Sequence, residues 1–394
     1  MLREETRNEE AGSEEARDMA DIELPYIMAL LALPGMGPSR LGKLLEHHTA
    51  EIAWGQITSG DIHTVAKTAL VQEKVSSRWC HLSAQMQPEE LLREYQEQKV
   101  QIARLGYSTY PNRLKGDIEP PEVIFWKGDT DFLDVNATVA IVGTRTCTNY
   151  GYEVAYETAR DLAEAGISVV SGLALGIDAA AHKGALSVDG APPVAVVGCG
   201  IDIVYPKSNR KLWEEVAERG VILSETPLGI HPERWRFPSR NRIIAALADV
   251  VLIVESLERG GALFTAEEAA QRSLPVFAVP GPIRSPASQG TNRLLAEGCM
   301  PMCDINDLLV ALGIPISGSD GWTGEEAVSR VLHPEKQALL DALGWQPAGL
   351  DQLTSRTGLS LSNVAYHIEE LQAEDLVVRR GLWYERKANK TSSS

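Results

Sequence analysis

Between residues 106 and 315, short apolar runs alternate with longer amphipathic segments of helical period. The clearest apolar runs are TVAIVG, ISVVSG, PVAVVG and VILSE, and the first two enclose the helical segment YGYEVAYETARDLAEAG. Apolar strands that alternate with helices of about 10 to 15 residues predict a parallel sheet covered by helices on both faces. We therefore predict an α/β fold, with a doubly wound, Rossmann-like domain over residues 106–315.

The chain ahead of this domain has two further patterns. Residues 1–24 are rich in Glu and poor in large apolar side chains, which predicts a disordered acidic tail. Residues 25–105 have apolar positions at helical spacing and predict a small helical domain of the SAM or helix-hairpin-helix type. Its PGMGP turn at residues 34–38, with Arg40 and Lys43 nearby, fits either a phosphate contact or a plain tight connection between two helices.

The chain beyond the alternating region divides into a linker and a third domain. Residues 316–332 are rich in Gly and Ser without periodicity, which predicts a linker. Residues 333–388 predict three short helices and a hairpin that turns at Arg380 and Gly381, which is a winged helix. Its third helix occupies the place of a recognition helix and carries Ser360, Ser362, Asn363, Tyr366 and His367.

Overall charge and hydropathy limit the class of protein. The formal net charge of −17 argues against a protein that coats nucleic acid with its whole surface, although a local basic site is compatible with it. No apolar run approaches the roughly 20 residues that a membrane helix needs. Because the first residues are charged rather than apolar, we expect a cytoplasmic protein without membrane contact.

The familiar catalytic and metal-binding motifs are missing from the sequence. It contains no G-K-[ST] phosphate loop, no H-E-x-x-H, no G-x-S-x-G and no C-x-x-C, and its histidines and carboxylates do not cluster at metal spacing. The five cysteines are scattered, which argues against a disulfide framework or a zinc ribbon. We therefore expect no cofactor and no metal.

Two loops that leave the first strands have the residues of an anion site. Ligands of such sheets bind at the carboxyl ends of the strands. VGTRTCTNYG places Arg145 at a turn before a helix, close to Gly143, and SGLALGIDAAAH begins with Ser171 and Gly172. The same loop is followed by Asp178 and His182, which lie on one helix face and fit a helix cap with a packed histidine better than a catalytic pair.

Two later loops complete the candidate site. HPERWRFPSRNR, residues 231–242, gathers arginines around two aromatic residues in an otherwise acidic chain: Arg234, Arg236, Arg240 and Arg242 beside Trp235 and Phe237. A basic groove with aromatic faces is typical of single-stranded nucleic acid binding. ERGGALFTAEEA offers a possible phosphate loop at Gly260 and Gly261, with Thr265 behind it.

Taken in order, these motifs closely resemble the DNA-processing protein A family, DprA/Smf. The resemblance covers YPNRLKGDIEPPEVIFWKGD through TNRLLAEG, and the flanks are similar to the family's optional helical and winged-helix domains. For DNA binding it implies Arg145, a basic residue at Arg234, the motif residues Phe237, Arg240, Asn241 and Arg242, and a pocket floor of Gly143, Ser171 and Gly172. Gly260-Gly261-Ala262 departs from the family's usual S-G-[ST] at that position.

The resemblance also implies a role and partners. Members of this family bind single-stranded DNA during natural transformation, form a homodimer through the Rossmann-like domain, load RecA and displace single-strand-binding protein. A non-enzymatic recombination mediator is therefore expected.

Two other functions remain open on the residues alone. GGALFTAEE is reminiscent of the phosphate loop of nucleoside-monophosphate phosphoribohydrolases, with Glu267 as the candidate acid. The winged helix would suit a transcription regulator, but its third helix is poor in basic residues.

Overall fold

The computed structural model describes residues 22–134, 136–315, 333–343, 347–374, 376–381 and 383–386. The chain divides into two compact units, residues 1–317 and 318–394. Residues 1–21 of the predicted acidic tail and the whole predicted linker, 316–332, lie outside the described residues. No helix of the described part is long and apolar enough to cross a membrane.

The first unit opens with a run of short helices. They are α1 over 22–31, α2 Pro38–Leu45, α3 Ala50–Ser59, α4 Ile62–Thr68, α5 Glu73–Ser76, α6 Trp79–Ser83 and α7 Pro88–Glu97. Thr49 caps α3 by accepting a hydrogen bond from the backbone amide of Ile52, and Pro38 opens α2 at a position where no amide donor is needed.

The turn between α1 and α2 is held from within the unit. Gly35 has φ +80°, a conformation that a side chain would strain. The indole Nε1 of buried Trp79 donates to the Pro34 carbonyl at 2.9 Å, and the Arg40 guanidinium donates to the Gly35 carbonyl at 2.7 Å. These contacts favour the reading of the turn as a tight connection, because the cation expected to meet phosphate is used to close it.

A nine-stranded sheet forms the centre of the first unit. Its strands are β1 Gln101–Arg104, β2 Val123–Lys127, β3 Thr138–Val142, β4 Ser168–Ser171, β5 Val194–Val196, β6 Val221–Ser224, β7 Val250–Ile253, β8 Val276–Ala278 and β9 Met300–Pro301. Their order is β1-β2-β6-β5-β4-β3-β7-β8-β9. From β6 to β9 every neighbouring pair is parallel, which confirms the predicted doubly wound α/β fold.

The beginning of the sheet differs from the prediction. Strand β1 lies before residue 106 and pairs antiparallel with β2, which in turn pairs antiparallel with β6. The sequence of β1, QIAR, follows the polar helix α7 and has no apolar run, so it lacks the pattern of a buried strand. The start predicted at residue 106 is therefore wrong by one edge strand.

Helices cover both faces of this sheet. They are α8 Asn112–Lys115, α9 Asn149–Glu164, α10 Ile177–Leu186, α11 Arg210–Arg219, α12 Arg236–Ala246, α13 Ala262–Gln271, α14 Gln289–Ala296 and α15 Ile305–Ala311. The helices of residues 22–97 share one hydrophobic cluster with sheet residues such as Phe125 and Ile222. The helical segment therefore belongs to the core of the first unit.

The second unit has the predicted winged-helix architecture. It contains α16 Pro334–Leu343, α17 Leu350–Thr357, α18 Leu361–Ala373 and the antiparallel strands β10 Val377–Arg380 and β11 Trp383–Arg386. Leu339, Leu353, Val364 and Ile368 are buried between the three helices. Ser360 caps α18 through the backbone amide of Asn363, and Gly381 at φ +65° makes the hairpin turn possible.

Candidate nucleic-acid interface

A pocket opens at the carboxyl edge of the sheet, where the loops after β3, β4 and β5 meet the first turn of α12. Its lining comprises Arg145, Gly172, Ala174, Leu175, Val197, Gly198, Cys199, Tyr205, Pro206, Phe237 and Arg240. From β3 the chain adds β4, β5 and β6 on one side, and β7 then lies on the other side of β3. Ligands of doubly wound folds usually bind at the carboxyl edge where the strand order reverses in this way.

One cation and two aromatic rings form the mouth of the pocket. The exposed Arg145 has its guanidinium carbon 4.9 Å from the ring centroid of Phe237, and it makes no hydrogen bond or ion pair with another described residue. The Tyr205 ring lies 5.7 Å from that of Phe237 and is 39% exposed. A free guanidinium beside an accessible ring suits a phosphate next to a stacked base.

Arg240 forms the floor rather than the mouth. The residue is only 6% exposed, and its guanidinium donates to the Gly172 carbonyl at 2.8 Å and to the Val196 carbonyl. Burial lowers the pKa of this guanidinium, while the attraction of Asp178 opposes that shift. Arg240 therefore ties β4, β5 and α12 together beneath the pocket.

Asp178 lies under the same floor. The backbone amides of Ala174, Gly143 and Gly172 hydrogen-bond to its carboxylate, which is 5% exposed. Burial raises its pKa, and Arg240 with these amides opposes the rise. The prediction that Asp178 caps its own helix is wrong, since α10 begins after Gly176 without a side-chain cap and the carboxylate serves the preceding loops instead.

His182 completes the buried layer. The residue is fully buried, and neither ring nitrogen has a hydrogen-bond partner among the described residues. Burial, and secondarily the charge of Arg240, lowers the pKa of His182 to about 3, against a weaker opposing effect of the Ser171 backbone. Both residues are buried and His182 is neutral, so Asp178 and His182 do not form an accessible acid–base pair.

The depressed pKa of His182 predicts a pH dependence of stability. Below its usual pKa of about 6.5 the unfolded chain binds a proton that the folded chain excludes, so this group should lower the free energy of unfolding by about 1.4 kcal/mol per pH unit. The loss should run from about pH 6.5 down to pH 3, where the folded group itself protonates. Urea unfolding at several pH values gives the free energy of unfolding as a function of pH. Between pH 3 and 6.5, its dependence on pH should be weaker by one proton in His182→Gln than in the parent chain; equal pH dependence would contradict the assignment.

Three other predicted DNA contacts point into the structure. The Ser171 hydroxyl is fully buried and donates to the Ile141 carbonyl at 2.6 Å. Asn241 is 9% exposed and donates to the Gly261 carbonyl at 3.3 Å. Arg242 forms an ion pair with Glu225 and donates to the Glu119 carbonyl at 2.6 Å. These polar groups hold the loops that shape the pocket, and the assignment of Ser171, Asn241 and Arg242 to DNA binding stays a prediction.

The residues just before α12 form an exposed rim. Arg234 is exposed and has no hydrogen bond or ion pair to another described residue. Trp235 is 61% exposed and donates to Glu233 at 2.8 Å, while Arg236 lies over its ring at 4.3 Å and also contacts Glu233. Of the arginines in HPERWRFPSRNR, Arg234 alone therefore keeps a fully available charge within the described residues.

The possible phosphate loop lies on the other side of β3, before α13. Gly260 and Gly261 precede that helix, but Thr265 is only 1% exposed and cannot reach a ligand. Glu267 is exposed and follows one turn later in the helix, away from the glycines. This loop could therefore bind an anion only through its backbone amides, because the expected Thr265 hydroxyl is buried.

Comparison with known proteins decides the family. Residues 101–313 match the family described as DNA recombination-mediator protein A, and residues 324–381 match the DprA winged helix domain. The chain belongs to the DprA family. Protein Smf of Synechocystis is similar to it at 32% identity over 94% of this chain and 100% of that protein.

Further DprA relatives agree with this membership. The DNA processing protein DprA of Bacillus subtilis is 35% identical over 56% of this chain and 74% of its own length. The X-ray structure of DprA from Streptococcus pneumoniae aligns with a TM-score of 0.61 at 31% identity, over 73% of this chain and 97% of that chain.

Sequence reasoning missed one wall of the DprA pocket. The loop GCGIDIVYPKSN between β5 and α11 supplies Gly198, Cys199, Tyr205 and Pro206, and exposed Lys207 follows directly. The glycines after the strand PVAVVG were the available signal, since they are the same feature that marked the two preceding loops.

Gly172 provides a sharp test of the pocket floor. A Cβ at this position would lie 2.0 Å from Nη1 of Arg240, which is buried and held by two carbonyls. Gly172→Ala should lower the free energy of unfolding by about 1 to 3 kcal/mol, since the guanidinium has nowhere to move. Gly261→Ala is the control because its Cβ meets nothing within 4 Å. Equal urea midpoints for the two variants would contradict this packing.

Proposed function

We propose that this chain binds single-stranded DNA at the carboxyl edge of its sheet. The observation that supports this is the presence of accessible rings together with two exposed cations that have no ion pair in the described structure, Arg145 and Arg234, in a protein whose net charge is −17. Phosphates would meet the guanidinium groups, and a base would stack at Phe237 and Tyr205. Stacking of one base on such a ring contributes about 1 to 3 kcal/mol.

The acidity of the rest of the chain is part of the proposal. Glu233 directly precedes Arg234 and contacts Trp235 and Arg236, so it leaves the charge of Arg234 without an ion pair. Other charges on the chain are predominantly negative and would repel a polyanion. Binding would therefore be confined to the pocket and its rim.

We infer from family membership that DNA binding serves recombination. The chain would act as a non-enzymatic mediator in the cytoplasm that protects incoming single strands during natural transformation, displaces single-strand-binding protein and loads RecA. It would work as a homodimer through its Rossmann-like domain. RecA-dependent ATP hydrolysis on a strand coated with single-strand-binding protein should begin earlier in its presence; an unchanged lag would contradict this role.

Fluorescence anisotropy of labelled oligonucleotides tests the binding itself. The full chain should bind single strands of different sequence with similar affinity, and bind the matching duplex more weakly, because only unpaired bases can stack on Phe237. The logarithm of affinity should fall linearly with the logarithm of salt concentration. Preference for duplex would contradict the proposal, as would release of free base from a nucleoside monophosphate in a manner that Glu267→Gln abolishes.

A further inference from the structure

The winged-helix unit contains a cluster of metal-ligating side chains that the sequence motifs did not reveal. His333 immediately precedes α16, Glu335 lies in its first turn, and His367 lies in the middle of α18. One donor atom from each of these three residues lies within 4.8 Å of the others. All three residues belong to the second unit, and none of them lines the pocket of the first.

His367 is oriented from both sides. Its Nε2 lies 2.7 Å from a carboxylate oxygen of Glu335, and its Nδ1 lies 3.0 Å from one of Glu370. The side chain is only 11% exposed, so these contacts fix the plane of the ring. Metal-bound histidines commonly have this arrangement, in which one nitrogen binds the ion and the other is held by a carboxylate outside the coordination sphere.

The charge around the cluster is negative. Glu335, Glu370 and Glu374 bring three carboxylates, and Lys336 brings a cation whose ammonium lies 3.3 Å from Glu370 and 2.7 Å from Glu374. A histidine binds a metal through a neutral imidazole, and in that state the three carboxylates and one ammonium sum to −2. A divalent cation would neutralise this charge without a further counter-ion.

We propose that His333, Glu335 and His367 bind a divalent zinc ion. Two imidazole nitrogens and one carboxylate oxygen are a ligand set that zinc accepts, with water at the fourth position. Nε2 of His367 would bind the ion, while Glu370 keeps its contact with Nδ1. Tetrahedral zinc with bonds of about 2.0 Å places its ligand atoms about 3.3 Å apart, so the cluster must contract on the side of His333, while the 2.7 Å contact between Glu335 and His367 must lengthen.

His333 is the ligand that can make this contraction. It is exposed, it lies ahead of the first turn of α16, and its ring already stacks against that of His367 with centroids 5.6 Å apart. The zinc ion would therefore link the start of α16 to α18. This inference is independent of the proposed DNA pocket and stands or falls without it.

Isothermal titration of the untagged, metal-free full chain with zinc chloride tests the proposal. One ion should bind per chain, and His333→Ala should weaken that binding at least tenfold, since it removes a direct ligand on an exposed residue whose loss spares the core. His63→Ala is the matched control, because His63 is an exposed histidine in α4 of the other unit. Magnesium chloride should give no comparable heat, because Mg²⁺ prefers oxygen ligands.

A second variant and a spectroscopic probe distinguish a specific zinc site from nonspecific metal binding. Glu370→Gln should weaken zinc binding by about 10-fold to 100-fold, as expected for a carboxylate that orients a ligating histidine. Cobalt(II) in place of zinc should give the visible absorption of a four-coordinate ion, and His333→Ala should abolish it. Failure of the full chain to bind zinc would overturn the proposal, and so would binding that His333→Ala leaves unchanged.

Discussion

Arg145→Ala combined with Arg234→Ala should weaken the affinity for single-stranded DNA by about 100-fold near 0.1 M salt. Each change removes an exposed guanidinium that makes no hydrogen bond or ion pair in the described structure, and a hydrogen bond to a charged group contributes about 1.5 to 3 kcal/mol. The salt dependence should also become shallower. Loss of two phosphate contacts lowers the slope on logarithmic axes by about 1.4 for a single strand.

Anisotropy titration of a labelled oligonucleotide at several salt concentrations measures both effects. The matched control is Arg78→Ala with Arg293→Ala, which removes two exposed arginines that do not line the pocket. Both double variants should unfold like the parent chain, because none of the four side chains is buried. Affinity that survives in the pocket variant, or falls equally in the control, would remove this site from DNA binding.

Arg240→Met should lower the free energy of unfolding by about 3 to 5 kcal/mol. The change leaves the carboxylate of Asp178 buried without its countercharge and removes the donor to the Gly172 and Val196 carbonyls. The loss should appear in urea unfolding of the isolated protein. Because no DNA is present, this loss would report on the stability of the folded protein and not on binding.

A double variant distinguishes this cause from simple loss of packing. Adding Asp178→Asn to Arg240→Met removes the unpaired charge, so it should restore part of the lost stability. Arg293→Met, at an exposed arginine, should stay within about 0.5 kcal/mol of the parent chain. If the double variant is less stable than Arg240→Met alone, the charge account of the pocket floor is wrong.

The layered part of the fold could be predicted because its signals are local. TVAIVG and PVAVVG are apolar without interruption, as strands covered on both faces must be, and Gly381 marks the hairpin of the winged helix. The edge strand β1 escaped prediction for the opposite reason. Three of its four residues are exposed or half-buried, and the strand depends on pairing with β2, which is distant in sequence.

The candidate site was predictable as a region but not residue by residue. Arg145, in the loop after β3, and Arg240, in α12, are the same residue type, yet the first is exposed and the second is enclosed by the Gly172 and Val196 carbonyls. Only the packing of α12 against the sheet separates these environments. His333 and His367 likewise meet because α16 packs on α18, a proximity that no linear spacing expresses.

The carboxylate of Asp178 has a consequence for what the sheet edge can recognise. Amides of loops at strand ends commonly receive the phosphate of a nucleotide in α/β folds, but here Gly143, Gly172 and Ala174 donate to an aspartate of the same chain. The Asp178 carboxylate thus occupies the amides that a phosphate would otherwise bind. What remains for an external partner is the outward face of the arginines and rings, which can follow a backbone of successive phosphates but cannot enclose a single terminal one. Free mononucleotides should accordingly compete poorly with a strand, and affinity should grow with strand length.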